Sequence, residues 1–278
     1  MNNIKLIGID LDGTALNSEK KLTEKNKEVF SYCKEKGIYI VPVTGRPYSG
    51  IYEEYKRGMM CDYTINTNGA AAMEVKSGKR IISHTMNDKT SFEVMKILEN
   101  FDCYYGMFYD GYGYLKPSDL EHEKNKYKNT PLFEYISRTR KTVDNHYDLL
   151  KKIKKCDNIY VIAKNGEIRS EICDSIGDVS DIYFTCSDYN DVEIGGNCSK
   201  GRTLIELAEY LGIDKSEVMA IGDGGNDIKM LESAGVSVAM ANADDRVKSV
   251  CDFVTKSCEE SGAAYAIEKI VFNGEKVL

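Results

Sequence analysis

The sequence predicts an α/β protein: a doubly wound parallel sheet into which a separate α+β unit is inserted. Three observations predict it. Short apolar runs alternate with amphipathic helical stretches at both ends of the chain. Acid-, glycine- and hydroxyl-bearing motifs follow directly on those runs. The middle lacks that alternation and carries hairpin-type turns instead. A length of 278 residues accommodates two domains of ordinary size.

Ile4–Ile9 reads as a buried strand. A helix is expected from about Glu24 to Lys36, with Thr23 as its N-cap and Gly37 at its C-terminal stop. Ile38–Val43 is a second buried strand and Asp62–Asn66 a third. The alternation returns with a Lys200–Leu211 helix closed by Gly212, a Val218–Ile221 strand, and an Asp227–Ala234 helix closed by Gly235. Val236–Ala239 and Phe253–Val254 then read as short strands. In the middle, two helices near Lys89–Glu99 and Asp144–Lys154 are interleaved with strand-like pieces at Tyr104–Tyr109, Asn158–Ala163 and Asp181–Cys186. Asp110-Gly111 and Asn165-Gly166 read as turns. The expected division is therefore 1–83 with 191–278 for the core, and 84–190 for the insertion.

Composition narrows the chemistry. Hydrophobic content of 42% and charged content of 29% are those of a soluble globular protein. No stretch approaches the roughly 20 apolar residues of a membrane span. The opening Met-Asn-Asn-Ile-Lys enters a strand without a signal peptide's apolar region, so a cytoplasmic location is expected. Nine cysteines form no Cys-x-x-Cys pair, which argues against a disulfide framework or a zinc site. Asn197-Cys198-Ser199 fits a glycosylation sequon that a cytosolic chain would never use. A net charge of −7 excludes a nucleic-acid footprint and obliges any phosphate site to supply local cations or a metal. The three histidines, His84, His122 and His146, have neither metal-ligand nor triad spacing. Chemistry must then run on carboxylates, with an oxygen-preferring metal such as Mg2+.

The motifs supply those carboxylates. Asp10-Leu11-Asp12-Gly13-Thr14 puts two acids one residue apart at the carboxyl end of the first strand, where open α/β sheets build their sites. One can serve as nucleophile or metal ligand while the other carries a proton. A solvated turn would use the same residue types. A calcium loop is excluded, because Thr14, Ala15 and Lys21 stand where it needs an acid or amide, Gly and Glu. Thr44-Gly45-Arg46-Pro47 brings a hydroxyl, backbone amides and a guanidinium suited to phosphate oxygens. Gly222-Asp223-Gly224-Gly225-Asn226-Asp227 opposes a pyrophosphate with its own acids and is better suited to holding Mg2+; Asn226 or Asp227 can also cap the next helix. Lys200, after Ser199 at a helix start, would bring an ammonium beside these acids.

Together, and in this order, these pieces resemble the haloacid-dehalogenase phosphohydrolases, in their Cof-type, subclass IIB branch. Asn68-Gly69-Ala70, Ser199-Lys200-Gly201 and the position of the insertion strengthen the resemblance, which spans nearly the whole chain. Ser261-Gly262-Ala263-Ala264 departs from an expected Asp-Gly-Val and bears on C-terminal packing. The resemblance implies that Asp10 attacks phosphorus and becomes an aspartyl-phosphate, while Asp12 protonates the leaving oxygen and then draws a proton from water. It implies Mg2+ held by the Asp10 side chain, the Asp12 backbone carbonyl and Asp223. Thr44, Gly45, Arg46, Lys200 and Asn226 would meet the substrate or its phosphate, and Asp227 would orient the site. The implied activity is Mg2+-dependent hydrolysis of small phosphate esters, sugar phosphates foremost, by a monomer or homodimer with no nucleic-acid or membrane partner. A phosphomutase of the same superfamily, or a silent binding module, are the alternatives. Tyr104, Tyr105, Tyr109, Tyr112 and Tyr114 are expected to fill one side of the inserted sheet.

Overall fold

The computed structural model describes residues 3–186 and 189–274. They divide into two compact units: Met1–Gly45, Ile51–Ser83 and Ser199–Leu278 form one, Arg46–Gly50 and His84–Cys198 the other. Among the described residues no helix is long and apolar enough to cross a membrane.

The first unit is built on a five-stranded, all-parallel sheet. Its order is Phe253–Val254, Val236–Ala239, Val218–Gly222, Leu6–Ile9, Tyr39–Pro42. Leu6–Ile9 is central and buried throughout, because helices cover both faces. Alternation divides its side chains. Ile7 and Ile9 pack with Val29, Phe30 and Cys33 of the Glu24–Glu35 helix and with Ala263, Ala264 and Ile267 of the Gly262–Ile270 helix. Leu6 faces Leu204 and Leu207 of the Lys200–Tyr210 helix and Met230 and Leu231 of the Ile228–Ser233 helix. Gly8 belongs to that second face, where a Cβ would strike Leu204. The doubly wound parallel core is as the sequence implies.

Local chemistry fixes the element ends. Thr23 caps the first helix by accepting from the Asn26 amide, and Gly37 follows it at φ +74°. Tyr63–Asn66 joins the core edge through a Val43–Ile65 bridge, then continues into an antiparallel sheet with Ala71–Glu74 and Arg80–Ser83 that the sequence left unread. At the departing Ser261-Gly262-Ala263-Ala264 segment, the Ser261 hydroxyl meets the Thr23 hydroxyl at 2.8 Å and the Ala264 N–H donates to Asn26 Oδ1 at 3.1 Å. The C-terminal helix is thereby anchored to the first.

The second unit carries a six-stranded sheet ordered Ile182–Thr185, Asp191–Gly196, Asn158–Ala163, Cys103–Tyr109, Tyr112–Leu115, Arg140–Thr142. It is antiparallel except for its last pair. Among the described residues five helices accompany it, where two were expected: Asp88–Leu98, Pro117–Lys126, Pro131–Thr139, His146–Ile153 and Gly166–Ile176. Asn165-Gly166, read as a turn, is instead a helix start, with the Asn165 side chain accepting from the Ile168 amide. The expected edge at 190/191 also moves. Asp191–Gly196 pairs with strands on both sides, which carries residues 191–198 into this unit, and Arg46–Gly50 joins it as well.

The tyrosines do not line one side. Neighbouring strand residues point to opposite faces. Tyr105 enters the core beside Met107 and Ile159 with its ring 4.9 Å from His146, whereas the Tyr104 ring meets His122 at 5.6 Å. The Lys141 ammonium sits 3.4 Å above the Tyr112 ring and 5.9 Å from that of Tyr114.

Candidate active site

Because the core strands are parallel, their carboxyl ends lie together, and the loops leaving them converge. Asp10 follows the central strand and remains in register, its N–H donating to the Ile221 carbonyl at 3.0 Å. It is buried. The Lys200 ammonium, 1% exposed, lies 2.6 Å from Asp10 Oδ1 and 2.6 Å from Asp227 Oδ1. Asp227 Oδ2 in turn accepts from the Asp223 and Gly224 amides at 3.0 and 2.9 Å. Three segments far apart in sequence, at Asp10, Lys200 and Asp223–Asp227, thus form one continuous polar chain.

Lys200 is placed by helix geometry. Ser199 caps the Lys200–Tyr210 helix by accepting from the Arg202 amide, which puts Lys200 in the first turn. Gly201 next to it packs so tightly on the Lys229 carbonyl that a Cβ would not fit. Facing this helix start is an unusual stretch, Thr67, Asn68 and Gly69, with φ of +52°, +51° and +98°. Such left-handed backbone is costly for a β-branched residue and persists only when its surroundings hold it. Here the Thr203 hydroxyl donates to the Gly69 carbonyl at 2.6 Å, and Asn226 Nδ2 donates to Asn68 Oδ1 at 3.2 Å.

Asp223 is held at both oxygens. Thr14 Oγ1 donates to its Oδ1 at 2.8 Å, and Asn242 Nδ2 donates to its Oδ2 at 3.1 Å. Asp12 is about a third exposed, with Oδ1 accepting from Lys20 at 2.8 Å. Thr44 is buried, its N–H donating to the Ile65 carbonyl at 2.9 Å and its carbonyl accepting from Asn68 at 3.1 Å. Gly45 follows it at the end of the same segment of the first unit. Arg46 lies in the other unit, its guanidinium 5.2 Å from the Tyr135 ring centre and Nη1 donating to the Gly50 carbonyl at 3.1 Å.

The electrostatics are those of a site short of positive charge. Burial is the largest influence on Asp10 and lifts it well above the usual carboxylate range; Lys200 opposes that, and the Asp227 and Asp223 charges reinforce it. Burial likewise pushes Asp223 up to about 6, against the Thr14 hydrogen bond. Burial disfavours the Lys200 charge, but Asp10 and Asp227 more than offset it and hold this lysine above its ordinary value. Oxygens of Asp10, Asp223 and Asp227 lie within 4.8 Å of one another, three acids facing one ammonium. That donor set fits a hard divalent cation. Asp227 already accepts three hydrogen bonds, so it suits orientation of Lys200 and the Asp223 loop more than ligation.

Two contributors escaped the sequence reading. Thr14 closes the Asp10–Thr14 motif, where its residue type alone does not point to the Asp223 carboxylate it binds. Asn242 follows the Val236–Ala239 strand, and its only sequence signal is position: it too lies just beyond the carboxyl end of a core strand.

A parallel α/β core with paired acids after its central strand and a buried lysine bridging two carboxylates is the setting of an enzyme that works through carboxylates. The chain belongs to the haloacid dehalogenase-like hydrolases, whose family pattern it matches over residues 7–267. It is 30% identical over 277 residues to YxeH of Bacillus subtilis (strain 168), an alignment covering 96% of this chain and 98% of that one. It is 27% identical over 266 residues to the 5-amino-6-(5-phospho-D-ribitylamino)uracil phosphatase YcsE of the same organism, covering 95% of each. A haloacid dehalogenase-like hydrolase from B. subtilis superposes with a TM-score of 0.84 at 26% identity, covering 96% of this chain and 100% of the other. The protein is a phosphatase of this family.

Proposed function

We propose that this phosphatase hydrolyses monophosphate esters of small metabolites, sugar phosphates foremost, in the cytoplasm, with Mg2+ and through an aspartyl-phosphate at Asp10. The observation that carries the reading is the buried Asp10–Lys200–Asp227 chain, with a more exposed second acid, Asp12, two residues further on. An Asp10 oxygen attacks phosphorus, and the phosphorus–oxygen bond to the alcohol breaks as Asp12 gives its proton to the departing oxygen. Water then attacks the phosphoryl group, Asp12 takes its proton, and the bond to Asp10 breaks. An anionic nucleophile meeting an anionic phosphate needs positive charge, and Lys200 supplies one unit of it. When bound, Mg2+ would supply the rest, held by the Asp10 side chain, the Asp12 carbonyl and Asp223. Thr44, Gly45, Arg46 and Asn226 meet the substrate or its phosphate in this reading.

The sugar-phosphate preference draws support from YcsE, whose named substrate carries phosphate on a ribityl chain. The test is phosphate release from p-nitrophenyl phosphate with Mg2+ and in EDTA. A panel of sugar phosphates, a phosphorylated ribityl compound, nucleotides, pyridoxal phosphate and flavin mononucleotide follows. Hydrolysis confined to the metal-containing arm, fastest on phosphorylated sugars or polyols, is expected. Full rates in chelator, or preference for a nucleotide, would overturn the corresponding part of the reading.

A further inference from the structure

Asn242 is an exposed residue with both ends of its side chain committed to protein, unlike an ordinary surface amide solvated by water. Its Oδ1 accepts from the Cys258 N–H at 3.0 Å, and this settles which end of the amide is which. The Nδ2 end must then face two acceptors, and it does: the Gly13 carbonyl at 2.9 Å and Asp223 Oδ2 at 3.1 Å. Two hydrogens, two oxygens: the donor is fully used. Those oxygens belong to two different loops, one carrying Asp10 and Asp12 and one carrying Asp223. The loops also touch directly, since Gly13 has φ +85° and a Cβ there would collide with the Asp223 carboxylate. Without the Asn242 amine, a carbonyl and a carboxylate would confront each other with no donor between them. The Asp223 side chain would then be held from one side only, by Thr14.

We propose that Asn242 is a positioning residue that fixes the Asp223 carboxylate and the first loop in one arrangement, and so sets the affinity of the site for a divalent cation. This rests on the metal reading given above. Partners that orient metal ligands without touching the metal typically account for 10- to 100-fold in affinity. Asn242→Ala should therefore weaken divalent binding at least about tenfold. Because the residue is exposed and outside the apolar cores, the substitution leaves the packing of the fold alone.

The experiment titrates the full-length chain with Mn2+, following free Mn2+ by electron paramagnetic resonance, and records melting temperatures with and without Mg2+. The wild-type chain should bind Mn2+ and gain stability with Mg2+. Whatever its metal-free melting temperature, Asn242→Ala should lose most of the Mg2+-induced gain and require at least tenfold more Mg2+ for half-maximal hydrolysis. Thr14→Val, which frees the other Asp223 oxygen, should weaken Mn2+ binding in the same direction. Equal Mn2+ affinity in wild type and Asn242→Ala would overturn the proposal. So would a lowered metal-free melting temperature with an unchanged Mg2+ gain, since that marks a merely structural role. A wild-type chain that binds no Mn2+ would instead remove the metal reading itself.

Discussion

At Asp10, burial lifts the carboxyl well above its usual range, and the Lys200 ammonium 2.6 Å away opposes that lift and favours the anion that attack requires. Asp10→Asn preserves the shape and removes the charged nucleophile. Turnover of p-nitrophenyl phosphate should fall by several orders of magnitude with circular dichroism unchanged. Activity within tenfold of wild type would remove Asp10 from the attacking role. Asp12 makes a different demand. A sugar alkoxide needs a proton to leave, whereas p-nitrophenolate is stable without one. Asp12→Ala should therefore slow the single-turnover burst much more on a sugar phosphate than on p-nitrophenyl phosphate. Equal losses in the burst would leave Asp12 without the acid role. The sequence exposed both first-loop acids, Asp223 and Asp227 because each sits in a dense, ordered motif after an apolar run, whereas Lys200 is a lone cation at a helix start that gains meaning only beside them. Asn242 is a lone amide in a turn, and its role depends on three hydrogen bonds to residues up to 229 positions away. No local pattern encodes such a contact.

Elements were legible in proportion to their apolar periodicity. The core strands and the Glu24–Glu35 and Lys200–Tyr210 helices read clearly because each buries a regular apolar stripe. The Pro117–Lys126 helix did not, since it buries only Leu120 and Glu123 against the sheet, and the Pro131–Thr139 helix leaves Leu132 and Phe133 exposed. The His146–Ile153 helix was expected, but the environment of its first residue was not. His146 is buried, Nε2 donates to the Tyr114 carbonyl at 3.0 Å, and Nδ1 has no hydrogen-bond partner among the described residues. Burial lowers its pKa, and a helix N-terminus also disfavours a cation. The folded state then binds fewer protons than the unfolded one. Stability from this group is complete above the unfolded value near 6.5 and declines as pH falls below it. The His146 contribution should therefore fall between pH 7.5 and 5.5, opposite in sign to that of a buried acid such as Asp223, and His146→Gln, which cannot titrate, should gain melting temperature relative to wild type as pH falls through that window. An identical slope in the variant would assign the pH dependence elsewhere.

For the whole molecule, the sequence disclosed an α/β core interrupted by an α+β insertion, but not where the interruption ends. Asp191–Gly196 precedes the Ser199-Lys200 motif and resembles a core strand locally; only its pairing with Asn158–Ala163 and Ile182–Thr185 assigns it to the inserted sheet. The core, for its part, concentrates three carboxylates around one lysine, an arrangement that favours ligand binding at the expense of metal-free stability. Asp223 makes this measurable. Its pKa is raised to about 6, so the stability it contributes as a neutral acid is lost as pH rises through that value. At pH 7.5 the ionised form should be a net cost on the order of 1–2 kcal/mol, after allowance for its partial solvent access. Asp223→Asn removes that charge. The amide oxygen can accept from Asn242 while its NH2 group donates to the Thr14 hydroxyl, which can also accept. Two opposite changes should follow in one thermal-unfolding experiment. Without metal, the variant should melt a few degrees above wild type. With Mg2+ at about 100 times its dissociation constant, wild type should gain roughly 2–3 kcal/mol by mass action, and the variant should gain almost none. A variant that melts lower without metal, yet responds to Mg2+ like wild type, would show that Asp223 neither strains the core nor holds the ion.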